Sequence, residues 1–94
     1  MTDYIKCEAA FLHAFDRLKE SLTADARGHV IHYVAHGELE MAYESFGLSV
    51  EKEAVQIPAE LKPLLQELGL ALRLNHESVF DPDFWERFSR LLIS

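Results

Sequence analysis

Apolar residues recur at three- and four-residue spacing along most of this chain, a period that predicts helices nearly from end to end. Ile5, Ala9, Leu12, Phe15 and Leu18, with Leu22 beyond, form the first stripe, and Lys6, Asp16, Arg17 and Glu20 occupy the opposite face. Thr2 or Asp3 can cap the start of this helix, and Thr23 can cap the next. The second helix is predicted over residues 24–36, with Gly37 placed to end it in a left-handed turn. At about 100° per residue, Val30, Ile31 and Val34 cluster on one side with Ala35 at their edge. His29, His32 and His36 fall on the other side, with Tyr33 nearby.

The third helix is predicted from Glu38, burying Leu39, Ala42, Tyr43, Phe46 and Val50. Glu40, Glu44 and Glu51 lie across from that stripe, interleaved with Met41 and Leu48. Gly47 costs up to about 1 kcal/mol relative to alanine inside a helix and marks a place for this one to end or bend. The segment VQIPAELKPLLQELGLALRLN reads as a fourth helix with Pro58 in its first turn. Pro63 requires either a separate first turn or a kink, because it removes a backbone donor and clashes with the preceding turn. Leu61, Leu64, Leu65, Leu68, Ala71 and Leu72 make its core stripe. Asp81–Pro82 cues the last helix, docked by Phe84, Phe88, Leu91 and Leu92 with Trp85 partly covered. LSVEKEAVQI alternates briefly but is too short and charged for a convincing strand.

These elements predict an all-α fold, a compact antiparallel bundle of four to five helices in a single domain over residues 1–94. The expected core is Ile5, Leu12, Phe15, Ile31, Val34, Leu39, Phe46, Leu65, Leu68, Phe84 and Phe88. A chain of 94 residues buries only roughly 60–65% of its unfolded surface, so modest stability is expected. No apolar run approaches the ~20 residues that cross a bilayer, and the first residues do not resemble a secretion signal. The lone Cys7 fits a reducing compartment, so a soluble cytoplasmic protein is expected.

Charge adds one asymmetry. The formal net charge is −7, and residues 37–60 hold six acids against one base, net −5. Such a patch attracts basic partners and repels phosphate backbones, which argues against direct nucleic-acid binding. The same imbalance is also what an ordinary solvated acidic surface looks like.

Candidate chemistry is sparse. His32 and His36 are four apart and share a helix face, but Tyr33 stands where a zinc hydrolase needs its glutamate base. His29 or Glu40 would have to complete a metal site, and nothing in the pattern forces either to do so; no metal and no other cofactor is expected. Ser21, Ser45 and Ser49 have no glycine-rich elbow, and the four glycines build no phosphate loop. Glu40 and Glu44 are expected on an exposed convex face, where they have little reason to act as acid and base. No enzymatic activity is expected. What remains is a binding surface along the Gly37 junction, made of Tyr33, His36, Glu38, Glu40, Met41 and Glu44.

An apolar helix, then HGELEMAYESF, then an acidic segment, then IPAELKPLLQELGLAL, is an order that resembles the MafI-type immunity proteins of bacterial polymorphic toxin systems. The resemblance covers about residues 30–74, most specifically His36-Gly37-Glu38 followed by Ala42 and Glu44. It implies a small non-catalytic helical protein that binds a cognate toxin domain in the producing cell and blocks it. A basic partner, such as a nuclease, would suit the acidic face. The alternative from another class is a regulatory or adaptor bundle that self-associates through its second and third helices. A third reading is a small metal-responsive protein using the histidines.

Overall fold

The computed structural model describes residues 3–93, which form five α-helices and two short 3-10 turns, with no strand among the described residues. Helix α1 spans Tyr4–Leu18, α2 Ala24–Ala35, α3 Leu39–Lys52, α4 Lys62–Ala71 and α5 Phe84–Ile93. The all-α bundle is therefore the architecture of this chain. Asp3 caps α1, accepting the Ile5 N–H at 2.9 Å, and Thr23 caps α2, accepting the Ala26 N–H at 3.1 Å. The Thr2 alternative lies outside the described residues.

Pro63 resolves as a separate first turn. Residues Ala59–Leu61 make a 3-10 turn, and Pro63 then sits in the first turn of α4, where its missing N–H has no helical partner to lose. Gly47 does not end α3, which runs on to Lys52. Instead α5 crosses there: a Cβ on Gly47 would overlap Cζ of Phe84, with Cε1 only 2.6 Å away. Gly69 does the same for α4, where a Cβ would run into the Trp85 ring. Glycine is thus the residue that lets α5 close onto both neighbours.

The core centres on aromatic rings. Phe11 stacks on Phe15 at 6.2 Å and meets Phe46 edge-on at 5.5 Å, while Phe84 stacks on Phe88 at 5.1 Å. Tyr43 lies between the two groups and donates its hydroxyl to the Leu65 carbonyl at 2.6 Å. Burial pushes that phenol well above its usual pKa, so it stays neutral and donating.

Seven expected core residues are buried: Phe15, Leu39, Phe46, Leu65, Leu68, Phe84 and Phe88. Three are not. Ile5 is 76% exposed, Leu12 39% and Ile31 57%, and Val34 is only half-buried. In α1 the buried face is Cys7, Phe11, Ala14, Phe15 and Leu18. The helix carries two overlapping apolar stripes, and the one containing Phe11 wins because an aromatic ring removes more area from water. In α2 only Val30 is fully buried. The helix turns to bring Tyr33 and Val34 against the core, which swings Ile31 outward. Of the four residues expected to dock α5, Phe84, Phe88 and Leu92 are buried and Leu91 is 41% exposed.

Candidate interaction surface

The α2–α3 junction is a Schellman turn. Gly37 has φ +70°, its N–H bonds to the Val34 carbonyl at 3.1 Å, and the Glu38 N–H bonds to the Tyr33 carbonyl at 2.9 Å. This turn reverses the chain and leaves Glu38 and Glu40 exposed at the start of α3. Across from them lies the first turn of α1. The Tyr4 hydroxyl is 4.0 Å from where a Gly37 side chain would begin. Partial desolvation raises the Tyr4 pKa, and the carboxylates of Glu8, Glu40 and Glu38 raise it further. Three carboxylates, one from α1 and two from the start of α3, therefore share one negative field around the Tyr4 hydroxyl.

Glu40 also lines a cleft of about 410 Å³ with Leu72, Arg73, Glu77 and Val79. The neighbouring residue Phe80 packs on Tyr33, ring centroids 5.8 Å apart. Beyond that pair is a second cleft of about 280 Å³, bordered by His29, Tyr33, Leu48, Lys52 and Phe80. Val79 and Phe80 are each 45% exposed, which is unusual display for two apolar residues in a loop.

Glu44 holds that display in place. It was expected on the exposed face of α3, and the structure overturns this: its side chain is fully buried. One carboxylate oxygen accepts the Val79 N–H at 2.6 Å. The other accepts the Phe80 and Asp81 N–H groups at 2.9 and 2.7 Å. The reason is geometric. Glu44 lies on the flank of α3 next to Gly47, and the close approach of α5 at Gly47 draws the preceding loop over Glu44. The buried carboxylate satisfies three backbone donors that would otherwise be orphaned. Arg87 pins the same loop from outside, with hydrogen bonds to Asp81 at 2.8 Å and Glu51 at 3.1 and 3.2 Å.

Of the six residues expected to meet a partner, Glu38, Glu40 and His36 are exposed, and Tyr33 and Met41 are half-buried. The structure adds Tyr4, Glu77, Val79 and Phe80 to the first group and the half-buried Glu8 to the second. A Val-Phe pair outside any helical pattern, just before Asp81–Pro82, was the available signal for two of these. His36 engages His32, whose carbonyl accepts its Nδ1–H at 2.8 Å.

A third cleft, about 430 Å³, lies at the far end of α3 near Val55 and Leu91. Its carboxylate, Glu51, is already committed to Arg87. Among the described residues no three His, Cys, Asp or Glu side chains are grouped to hold a metal ion, and no helix is long and apolar enough to cross a membrane. Comparison with protein-family models, with curated proteins and with solved structures finds no match for this chain.

Proposed function

We propose that this chain is a protein-binding module of the immunity type, which docks on a basic toxin domain in the cytoplasm of the producing cell and blocks its active cleft without catalysis of its own. The observation that carries the reading is one loop joining two surfaces: Val79 lines a cleft with Glu40 and Glu77, and the next residue, Phe80, packs on Tyr33, while Glu38 and Glu8 share the field of Glu40 around Tyr4. An exposed Phe80 backed by the half-buried Tyr33, with carboxylates on the same side of the loop, supplies the two things such docking needs. The rings offer area and a low ordering cost, and the carboxylates steer an oppositely charged surface into register. The resemblance of residues 30–74 to MafI-type immunity proteins supports the same reading. A nuclease cleft, basic because it holds phosphates, fits this face better than a neutral one.

The test is binding kinetics against a toxin domain encoded beside this gene, at two salt concentrations. Glu38→Lys with Glu40→Lys should slow association by about tenfold at low salt and flatten its salt dependence. Phe80→Ala and Tyr33→Ala should act mainly by speeding dissociation. Association and cell protection unchanged by the charge reversal would leave the acidic face a solvated surface.

One observation favours self-association as the second reading. Gly28, Ile31 and Ala35 are exposed along the outer face of α2, and nothing lies within 4 Å of where a Gly28 side chain would begin. Sedimentation of the isolated chain, with Ile31→Glu as the disrupting variant, separates the two readings.

A further inference from the structure

The last turn of α2 brings two histidines together. His32 and His36 are four residues apart, so they stand one above the other on a single flank. Their ring centroids are 4.3 Å apart and their planes are tilted by 42°. Both side chains are exposed. The His36 Nδ1 lies 2.8 Å from the His32 carbonyl oxygen. A carbonyl only accepts, so Nδ1 carries the hydrogen and the Nε2 lone pair is left available. A ring N–H given to a backbone carbonyl is how proteins fix the tautomer and orientation of a metal-binding imidazole.

We propose that His32 and His36 form a two-nitrogen chelate for a divalent copper ion. Zinc prefers three or four protein ligands, and among the described residues no third one joins this pair. Cupric ion heads the affinity order of the divalent first-row metals for a given nitrogen site, and it accepts a tetragonal set completed by water. The negative end of the α2 dipole lies at the same turn and favours a cation. His29, one turn back, stands 3.9 Å from Asp25 and remains outside the chelate. Tyr33, following His32, supplies no general base, so the site binds an ion without hydrolytic chemistry. It is open and peripheral, and the fold does not depend on its being filled. His32 meets Tyr33 edge-on at 5.7 Å, so a bound ion would place two positive charges beside the aromatic pair.

The experiment is titration of the full chain with cupric ion alone, followed by calorimetry and by broadening of the histidine ring resonances. One saturable ion per chain is expected, with His32 and His36 broadened before His13, His29 and His76. His32→Ala and His36→Ala should each weaken binding at least about tenfold. His29→Ala should leave it within about threefold, and zinc should bind more weakly than copper. Circular dichroism should be unchanged throughout, since both rings are exposed. Affinity retained in either single variant, broadening spread equally over all five histidines, or no saturable binding would overturn the proposal.

Discussion

Glu44 is the residue whose role differs most from its appearance in the sequence. A glutamate in an acidic helix reads as surface, yet its carboxylate is fully buried and holds the three N–H groups of residues 79–81. Each buried donor left without a partner costs about 1–3 kcal/mol. Glu44→Ala should therefore lower stability by about 2–4 kcal/mol, less than three full penalties because the loop can lift into water. Hydrogen exchange should accelerate selectively at Val79, Phe80 and Asp81; unchanged protection there would refute the anchor. Glu44→Lys would set a cation against those donors and should not fold. Core positions follow the same reasoning. Phe46 is 0% exposed, so Phe46→Ala should cost roughly 3–5 kcal/mol, whereas Ile5→Ser and Ile31→Ser should stay within about 0.5 kcal/mol. Thermal melts of the three variants check the assignment, and a near-wild-type Phe46→Ala would displace that ring from the core.

At the scale of elements, three helices end in the same turn with different residues at its left-handed position. Gly37 does so after α2, but Ala54 has φ +52° after α3 and Arg73 φ +64° after α4. In both, the Schellman pair of hydrogen bonds is intact: Val55 N–H to Val50 and Ala54 N–H to Glu51 in one, Leu74 N–H to Gly69 and Arg73 N–H to Leu70 in the other. A side chain at such φ costs roughly 1–2 kcal/mol, partly offset by the greater freedom glycine would have in the unfolded chain. Ala54→Gly, at an exposed position, should therefore stabilise by about 0.5–1 kcal/mol, read as a higher urea midpoint at unchanged slope. A lower midpoint would mean that Ala54 contributes packing the turn geometry does not reveal.

For the molecule as a whole, the acid limb of stability can be stated with its sign. Lys19 holds the Asp16 carboxyl below its usual pKa. A local backbone hydrogen bond and then Arg17 do so for Glu60, and Arg87 followed by the Asp83 N–H for Asp81. A carboxyl whose pKa is lower folded than unfolded stabilises the fold above its unfolded value, and that contribution disappears as pH falls through the folded value. Stability should thus be level near neutrality and decline below about pH 4. All three pairs are exposed, so salt should shrink the effect. Arg87→Gln should flatten the decline as measured by urea midpoints against pH; an unaltered slope would remove Asp81 from the account.

Helix number and type, the stripe Leu39, Ala42, Tyr43, Phe46 and Val50, the caps at Asp3 and Thr23, and the turn at Gly37 were all legible in the sequence, because each depends on neighbours within a turn or two. The acidic half of the candidate surface was legible for the same reason, since Glu38 and Glu40 follow the turn directly. Which of two apolar stripes α1 buries was not, because periodicity gives a face only when one face is apolar, and the choice fell to the rings of Phe46 and Tyr43 on another helix. The burial of Glu44 and the display of Phe80 beside Tyr33 depend on contacts across 35 to 47 residues of chain, set by α5 closing on Gly47. Local spacing determined the helices and where the charge lies. Only long-range packing decided which charges and rings reach the surface, because burial depends on what another segment brings to cover a side chain.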